Sequence, residues 1–349
     1  MSAHMKNNAK WAAGLPFTIW KQVFHNVPKI PSHVNLNGET AIVTGASSGL
    51  GLECGRQFLQ LGLSQLILAV RSQKRGDDAA RQLQAEFPEA KIFVWILDME
   101  SSDSVRQFAS RCNTLDRLDV VVLNAGCGKL SYQRAGGDGR EISLQVNYIN
   151  TMLLAILLVP ILRAKNSVTL KGTKFSSTPG RLTIVGSDMG LWAKMKEPAG
   201  SVLDAVDTPE GFDGMSQYGI TKLLLIMGVS KLAEIVDSNE VIINVVNPSA
   251  TRGTALMREA KGQWVPQMIV YLSNTLLGRN VVDGTRQYLH SALMLGKESH
   301  GSFGDWEIRP YPVLMYTESG QRMTEKLWKE TLEDLKITDI TKTLGKAGN

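Results

Sequence analysis

The stretch TAIVTGASSGLG, at residues 40–51, decides the fold of this chain. It begins with a short run rich in β-branched residues, passes through glycines and other small residues, and leads into a helix-like stretch at Gly51–Leu61. Glycines let a backbone turn tightly and come close to a ligand. The stretch therefore predicts a buried strand, a tight loop and the start of a helix, in that order.

The same alternation continues toward the C-terminus. Short apolar runs, predicted to be strands, lie at Ala41–Thr44, Gln65–Val70, Lys91–Leu97, Asp119–Leu123, Leu182–Val185 and Val241–Val246. Helix-like stretches follow them at Gly51–Leu61, Arg75–Phe87, Ser102–Arg111, Glu141–Arg163 and Ser216–Ile235. Strands that alternate with helices of this length indicate right-handed βαβ units. The pattern predicts an α/β fold, a doubly wound parallel sheet of about seven strands with helices on both faces, in a single domain.

The composition excludes several classes of protein. With 43% hydrophobic and 20% charged residues, the 349-residue chain is expected to be globular rather than disordered. A net charge of +5 without dense basic clusters argues against a nucleic-acid partner. Three cysteines, at Cys54, Cys112 and Cys127, cannot form a disulfide framework and suit a reducing compartment. No histidine lies between residues 34 and 289, which argues against a metal site in the main body.

The loop at Gly45–Gly51 has the position of a dinucleotide site. It follows the first predicted strand, and the next helix would present free N–H groups and a positive dipole to a pyrophosphate. The residues predicted to bind there are Gly45, Ser47, Ser48, Gly49, Leu50 and Gly51. Two alternatives remain open, a glycine-rich turn with no ligand and the G-x-S-x-G elbow of a serine hydrolase. The elbow needs a histidine partner, and the histidines downstream of it are His290 and His300.

Two further motifs establish a family resemblance. Asn124-Ala125-Gly126 and Tyr218-Gly219-Ile220-Thr221-Lys222, together with Thr44–Gly51, resemble the short-chain dehydrogenase/reductase family in order and spacing over residues 38–255. The part that follows, including Gly301–Trp306 and the helix with Trp328, resembles the retinol-dehydrogenase-like members found in fungi. The resemblance implies a Rossmann-type fold and an oxidoreductase that uses a nicotinamide dinucleotide.

The end of the second predicted strand favours NADP(H) over NAD(H). An NAD site of this type carries an acid about 20 residues past the glycines to hold the ribose 2′-OH. No acid occurs between Glu53 and Asp77, and Arg71 stands there instead, with Lys74 and Arg75 close behind. A guanidinium pairs bidentately with phosphate oxygens, so Arg71 is predicted to bind the 2′-phosphate. An ordinary solvated basic loop is the alternative.

The resemblance also assigns cofactor contacts after the third and fourth strands. Asp98, with Met99 beside it, matches the position that holds the adenine ring, although an Asp before a helix also commonly serves as its N-cap. The small residues in the motif Asn124-Ala125-Gly126 keep the end of the fourth strand open beside the cofactor. The resemblance assigns Asn124 a structural role there.

The sixth strand leads into a departure from the family pattern. The family usually has Pro-Gly at this point, whereas this chain has Pro248-Ser249, so the backbone is expected to turn less freely. Pro248 and Thr251 are predicted to contact the cofactor. For the nicotinamide carboxamide, Thr254 remains the alternative to Thr251.

Tyr218 and Lys222 are the predicted catalytic pair. They lie four residues apart on a predicted helix and therefore share a face. A tyrosine with its ordinary pKa of about 10 is a poor acid or base at neutral pH, and a neighbouring ammonium favours the phenolate. The resemblance implies that Lys222 holds the nicotinamide ribose, that Ser187 hydrogen-bonds the substrate oxygen and that Asn147 keeps a water in a proton relay. The alternative for Ser187 is a serine that caps a turn at the end of the strand. The alternative for Asn147 is a buried amide whose hydrogen bonds are satisfied by the backbone.

The segment between Ser187 and Tyr218 is longer than in many family members. Its loop 191–214 carries large apolar residues, which we interpret as a wall or lid of the substrate pocket, with a passive surface insertion as the alternative: Trp192, Met195 and Phe212. The sequence thus predicts an NADP(H)-dependent oxidoreductase that interconverts a ketone and a secondary alcohol on a bulky, lipophilic substrate, in secondary-metabolite biosynthesis if the fungal resemblance holds. A catalytically silent NADP-binding regulator or scaffold is the alternative.

The chain extends beyond the predicted domain at both ends. We divide it into an amphipathic N-terminal extension (1–37), the NADP-binding domain (38–300) and a C-terminal extension packed on that domain (301–349). The first extension carries an apolar stripe at helical spacing: Leu15, Ile19, Val23 and Val27, with Trp20 and Phe24 alongside. Such a stripe usually packs on its own domain, but a basic amphipathic segment at residues 11–27 could also lie on a membrane surface. With no signal peptide and no apolar run of about 18 residues, we expect a cytoplasmic protein.

Overall fold

A single sheet organises the fold. The computed structural model describes residues 1–136, 139–166, 178–252 and 278–345. In chain order the strands of the sheet are β1 Thr40–Thr44, β2 Gln65–Val70, β3 Lys91–Ile96, β4 Val120–Leu123, β5 Gly180–Val185, β6 Val241–Val246, β7 Phe303–Gly304 and β8 Ile308–Arg309. Their order across the sheet is β3-β2-β1-β4-β5-β6-β7-β8.

Helices connect and cover these strands. They are α1 Lys6–Ala12, α2 Leu15–Phe24, α3 Gly49–Gln60, α4 Gln73–Glu86, α5 Ser102–Cys112, α6 Ile142–Leu144, α7 Asn150–Asn166, α8 Met189–Trp192, α9 Val202–Val206, α10 Gly214–Ile235, α11 Val281–Leu289, α12 Glu318–Asp334 and α13 Ile340–Thr343.

The strand order confirms the predicted Rossmann-type fold. The first seven strands run parallel, and β8 pairs antiparallel with β7. The sheet has eight strands rather than about seven, because the segment after residue 300 adds two strands of two residues each. The order reverses between β1 and β4, and in open α/β sheets ligands bind beyond the carboxyl ends of the strands at such a switch point.

The apolar pattern of the central elements follows from burial on both sides. Every residue of β1, β4 and β6 is buried, whereas the edge strand β3 exposes Lys91, Phe93 and Ile96. One described helical stretch, Ile142–Asn166, is long and apolar enough to cross a membrane, and 94% of its apolar window is buried inside the protein. A helix that is apolar all round is typical of a core position, and this stretch packs between the sheet and other helices.

The predicted helix Glu141–Arg163 is interrupted near its start. It begins as α6, widens into a π-helical turn at Gln145–Ile149 and continues as α7. The spacing of apolar residues does not reveal this turn. All five of its residues are buried, so no exposed position marks the change from α-helix to π-helix. Single π turns often occur at functional sites, and this one carries Asn147.

The N-terminal helices lie against the C-terminal part of the chain. The Ser2 hydroxyl donates to the carbonyl oxygen of Phe303 at 3.2 Å, and the Lys21 ammonium lies 2.9 Å from the Asp305 carboxylate. Two residues of the apolar stripe, Ile19 and Val23, are 42% and 47% exposed and so do not pack on the domain, whereas Val27, beyond the end of α2, is 4% exposed. The physical reason is Asp305, which is fully buried and is paired with Lys21 on the opposite side of α2.

Candidate active site

The loop between β1 and α3 is shaped by close backbone approaches. Gly45 and Gly49 have φ angles of 65° and 58°, which residues with a side chain rarely adopt. A Cβ atom on Gly51 would lie 2.6 Å from the carbonyl oxygen of Gly45. The chain therefore folds back on itself directly before the first turn of α3, where anions bind favourably. The same turn holds the other predicted residues half-buried: Ser47, Ser48 and Leu50.

Asn124, just after β4, ties this strand to β1. Its Nδ2 donates to the carbonyl oxygen of Thr44 at 2.9 Å, and its Oδ1 accepts the Tyr288 hydroxyl at 3.1 Å. The N–H of Ala125 donates to the Thr44 hydroxyl at 2.9 Å. These bonds fix the two strand ends on either side of the switch point. Sequence reasoning missed Tyr288, which is fully buried and 164 positions away from Asn124.

Arg71 lies beside an acidic residue, Glu100, that is distant from it in the sequence. Its Nη1 donates to Oε1 of Glu100 at 2.7 Å, and its side chain remains 60% exposed. Glu100 follows β3, which pairs with β2 in the sheet, so the strand pairing brings the two residues together. The guanidinium is therefore accessible to a phosphate but already has one carboxylate neighbour.

Asp98 and Met99 follow β3 directly. The N-cap of α5 is Ser101, whose hydroxyl accepts the N–H of Ser104 at 3.2 Å, so Asp98 does not cap this helix. Asp98 instead accepts the N–H of Glu100 at 3.0 Å. Met99 is buried. The role of this pair toward the adenine ring stays a prediction.

Ser187, Tyr218 and Lys222 meet beyond the carboxyl end of β5. Ser187 follows this strand by two residues, and its side chain lies near enough to the phenol of Tyr218 to affect the pKa of that phenol. The Lys222 ammonium donates to the carbonyl oxygen of Val185 at 2.8 Å and lies 5.7 Å from the centre of the Tyr218 ring. Tyr218 and Lys222 are 9% and 3% exposed. The structure thus brings together Tyr218, the predicted acid or base, with Lys222 and Ser187, which were predicted to tune it and to bind the substrate oxygen.

Burial shifts both titrating groups of this cluster. It raises the pKa of Tyr218 above its ordinary value, and the nearby Ser187 side chain offsets part of that rise. Burial lowers the pKa of Lys222 to about 8. At neutral pH the tyrosine is therefore a protonated phenol, ready to donate, and the lysine is still mostly charged.

Both the oxygen and the nitrogen of the Asn147 side-chain amide form hydrogen bonds near Tyr218 and Lys222. Its Oδ1 accepts the N–H of Cys127 at 2.9 Å, and its Nδ2 donates to the Cys127 carbonyl at 2.7 Å and to Thr221 Oγ1 at 3.1 Å. A Cβ atom on Gly126 would lie 3.2 Å from Asn147 Oδ1 and 3.5 Å from the Lys222 ammonium. The side chain thus makes the contacts of a buried, satisfied amide next to Lys222, and the water relay stays a prediction.

The turn after β6 forms although serine replaces the usual glycine. Ser249 has a φ angle of 58°, in the left-handed region that favours glycine. Its N–H donates to Asn247 Oδ1 at 3.2 Å and its hydroxyl donates to Gln287 Oε1 at 3.2 Å. Asn247 Oδ1 also accepts the N–H of Asp188 at 3.1 Å, which links this turn to the residue after Ser187. Side-chain hydrogen bonds therefore stabilise a turn for which the family usually relies on the conformational freedom of glycine.

Of the two threonines considered for the carboxamide, the structure describes Thr251. Its hydroxyl donates to the carbonyl oxygen of Pro248 at 3.1 Å, and the residue is 5% exposed. Close packing on α11 holds it, since a Cβ atom on Gly284 would lie 2.5 Å from its Oγ1. Thr254 lies outside the described residues.

The loop 191–214 contacts the N-terminal extension. Its three large apolar residues, Trp192, Met195 and Phe212, are all half-buried. The Trp192 indole N–H donates to the carbonyl oxygen of Ala13 at 2.8 Å, and Phe212 packs edge-on against Tyr132 with 5.8 Å between ring centres. Sequence reasoning treated this loop and the extension separately.

A buried charge network joins Asp188, the residue after Ser187, to the N-terminal and C-terminal segments. Asp188 pairs with Arg309 at 2.9 Å, and Arg309 also donates to the carbonyl oxygen of Ala12 at 2.8 Å. Asp305 lies 3.8 Å from Arg309 and pairs with Lys21. Sequence reasoning missed this network because its members are 121 and 284 positions apart.

The two downstream histidines are engaged elsewhere. His290 Nε2 lies 2.9 Å from the Pro28 carbonyl oxygen, and His300 Nδ1 accepts the N–H of Ile243 at 3.2 Å. Within the described ranges neither ring contacts Ser47, so the hydrolase alternative lacks its base. No group of three or more His, Cys, Asp or Glu residues in the same ranges could hold a metal ion.

Fungal relatives match this chain over almost its whole length. The sequence profile of the short chain dehydrogenase family matches residues 39–170. The short chain dehydrogenase virL of Hypocrea virens is 44% identical, over 98% of this chain and 98% of that protein. The short chain dehydrogenase/reductase mfmJ of Annulohypoxylon moriforme is 40% identical, over 93% of each chain.

Solved structures share the fold at lower identity. The NADPH-bound short chain oxidoreductase of Pseudomonas aeruginosa has a TM-score of 0.56 at 20% identity, over 78% of this chain and 96% of that chain. The L-sorbose reductase of Gluconobacter frateurii, solved with NADPH and L-sorbose, has a TM-score of 0.55 at 18% identity, over 80% of this chain and 98% of that chain. Given its nearly full-length identity to the fungal proteins, this chain belongs to the short chain dehydrogenase family.

Proposed function

We propose that this protein uses NADP(H) to interconvert a ketone and a secondary alcohol. The observation that carries the proposal is the convergence of Ser187, Tyr218 and Lys222 beyond β5, with Tyr218 and Lys222 buried and the Ser187 side chain next to the Tyr218 phenol. A protein that only binds a dinucleotide does not need a buried phenol next to a buried amine. The family membership supports the same reaction class, hydride transfer.

The residues present fit a nicotinamide dinucleotide phosphate. The loop at Gly45–Gly51 folds so tightly that a Cβ atom on Gly51 would meet the Gly45 carbonyl oxygen, which leaves backbone rather than side chain facing the pyrophosphate. Arg71, exposed at the end of β2, would hold the 2′-phosphate. The cofactor, when bound, supplies or accepts the hydride. The two NADPH-bound neighbours support this choice of cofactor.

Tyr218 is the proposed proton donor for ketone reduction. The raised pKa keeps its phenol protonated at neutral pH, so it can donate a proton to the carbonyl oxygen as that oxygen becomes an alkoxide. The hydroxyl of Ser187, next to this phenol, would orient the same substrate oxygen. In the direction of alcohol oxidation the proton returns to Tyr218.

Lys222 stabilises the phenolate that remains after this transfer. Its ammonium, buried and bonded to a neutral carbonyl, places a positive charge close to the Tyr218 ring. Asn147 positions the backbone of Cys127, which follows Gly126, and the hydroxyl of Thr221, which directly precedes Lys222 in the sequence. We therefore assign Asn147 a positioning role, with the water relay as its proposed second role.

The substrate is proposed to be bulky and lipophilic. Loop 191–214 follows Ser187 and precedes Tyr218, and it presents half-buried apolar residues: Trp192, Met195 and Phe212. A hydrophobic wall discriminates by about 1–3 kcal/mol per group. The fungal short chain dehydrogenase relatives support a place in fungal secondary-metabolite biosynthesis.

The decisive experiment follows NADPH absorbance with a panel of bulky and small ketones and quinones. Tyr218→Phe should lower kcat by about 10²–10⁴-fold and leave NADPH affinity nearly unchanged, because it removes one hydroxyl at the reacting centre. Tyr311→Phe is the matched control, since the Tyr311 hydroxyl bonds the Gly301 carbonyl instead. Near-normal turnover by Tyr218→Phe would contradict the mechanism.

The same panel separates the enzyme from a silent scaffold. NADPH binding without turnover of any carbonyl substrate, and with no difference between the wild-type protein and Tyr218→Phe, is the outcome that a scaffold predicts. Faster turnover of bulky than of small ketones is the outcome that the apolar loop predicts.

A further inference from the structure

Helix α2 is packed with its polar side toward the protein. Lys21, 7% exposed, pairs with Asp305, and Gln22 donates to the carbonyl oxygen of Ala250 at 2.9 Å. The opposite side carries apolar residues that are 42%, 46%, 47% and 73% exposed, in the order Ile19, Trp20, Val23 and Phe24. Positions 19, 20, 23 and 24 share one face of a helix. A surface helix normally buries that face on its own domain, so this arrangement is reversed.

The exposed residues form one continuous surface with the end of α1. Trp11 is 66% exposed, and its ring lies 5.8 Å from that of Phe17, which lies 5.9 Å from that of Trp20. We call this surface the aromatic face and define it as Trp11, Phe17, Ile19, Trp20, Val23 and Phe24. The Arg309 guanidinium lies 5.3 Å from the centre of Phe17, which anchors the aromatic face to the buried charge network. Contiguous exposed apolar surface of this kind marks an interaction site.

The charges around the aromatic face select the partner. Residues 1–38 contain four lysines and no acid, and Lys6, Lys10 and Lys29 are exposed. Exposed lysines beside exposed tryptophans suit a surface that is anionic outside and apolar beneath, because tryptophan favours the interface between headgroups and acyl chains. We propose that the aromatic face docks this protein on an anionic lipid bilayer.

The location of the aromatic face gives this docking a consequence. The same N-terminal segment accepts the indole N–H of Trp192 and bonds Ala250, so it touches the substrate loop and the turn after β6. Docking would therefore bring the proposed substrate wall close to the bilayer, from which a lipophilic substrate could enter. Lipid binding itself is measured without turnover and does not depend on the proposed function.

The test is flotation of the full-length protein with vesicles of phosphatidylcholine alone or mixed with phosphatidylserine. The wild-type protein should float with the anionic vesicles and release as salt is added, because exposed charges are screened beyond about 10 Å at 0.1 M ionic strength. The double variant Trp20→Ser/Phe24→Ser should lower the partition coefficient at least about tenfold, since each large side chain loses its apolar burial. Lys6→Glu/Lys10→Glu should weaken binding to anionic vesicles specifically.

Phe93→Ser is the matched control, because Phe93 is a 43% exposed aromatic residue on the edge strand β3. It should float like the wild-type protein. Failure of the wild-type protein to bind anionic vesicles, or equal binding by Trp20→Ser/Phe24→Ser, overturns the proposal. A wild-type dimer in light scattering that the same double variant abolishes also overturns it, because a second copy of the chain would then cover the aromatic face.

Discussion

Lys222 and Lys21 are both almost completely buried, yet their partners are opposite in character. The described partner of the Lys222 ammonium is the neutral carbonyl oxygen of Val185, at 2.8 Å. The Lys21 ammonium lies 2.9 Å from the Asp305 carboxylate and over the ring of Trp306. Without a countercharge, burial lowers the pKa of Lys222 to about 8. The comparison teaches that the partner, rather than the depth, decides whether a buried lysine tunes chemistry or holds structure.

The same substitution should therefore lower mainly the activity at Lys222 and mainly the free energy of unfolding at Lys21. Removing one partner of a buried ion pair leaves an uncompensated charge, whereas removing a buried ammonium from a neutral carbonyl also removes the cost of burying it. Methionine is a suitable replacement at both positions because it keeps most of the length of the side chain.

Lys222→Met should produce the largest effect on activity. We expect kcat to fall by about 10²–10⁴-fold, because the phenolate of Tyr218 loses the charge that stabilises it. NADPH should also bind more weakly if the lysine holds the ribose. The free energy of unfolding should change little. Steady-state kinetics, a cofactor titration and urea unfolding measure the three quantities, and normal turnover would remove Lys222 from the mechanism.

Lys21→Met should produce the largest effect on stability. The free energy of unfolding should fall by up to about 3–5 kcal/mol, because Asp305 is fully buried and would be left with the more distant Arg309, at 3.8 Å. Urea unfolding measures the loss. In the double variant Lys21→Met/Asp305→Asn the buried charge is gone, so part of the stability should return. A single variant as stable as the wild-type protein would show that the pair contributes nothing to the fold.

The pH dependence of ketone reduction should report Lys222 directly. Below its pKa of about 8 the lysine is protonated and supports catalysis, and above it the charge is lost. The raised pKa of Tyr218 keeps the phenol protonated through this range, so the phenol does not limit reduction. The logarithm of kcat/KM should thus be flat at neutral pH and fall at higher pH, by up to about tenfold per pH unit. A profile that stays flat through the alkaline range contradicts this assignment.

Arg71 is a third cation, exposed and paired with Glu100, and it should show the smallest effects. NADPH should bind at least about tenfold more tightly than NADH, a difference of about 1.4 kcal/mol, and Arg71→Asp should abolish that preference. Glu100→Gln should strengthen NADPH binding only a few-fold, because an exposed ion pair contributes at most about 1 kcal/mol. Titrations with both cofactors measure these affinities. Equal binding of the two by the wild-type protein would make Arg71 an ordinary surface residue.

Local spacing was enough to predict the parts of the site that lie close in sequence. Tyr218 and Lys222 share a helix face whatever that helix packs against. The glycines at Gly45 and Gly49 indicated the turn that their positive φ angles now show. Asn147 was predicted as a site residue from the family resemblance, but the π-helical turn that carries it was not predicted. All five residues of that turn are buried, so the sequence pattern there is that of an ordinary buried helix.

The amino-acid sequence by itself determined the alternation of strands and helices, the tight loop after β1 and the order of the chemistry-bearing motifs, because these depend on neighbours a few residues apart. The tertiary structure alone decided which distant charges meet. Glu100 reaches Arg71 through strand pairing, Arg309 reaches Asp188 across 121 positions, and Asp305 turns the apolar side of α2 outward by pairing with Lys21. A buried charge must find a partner wherever the fold provides one, and no local pattern records where that partner lies.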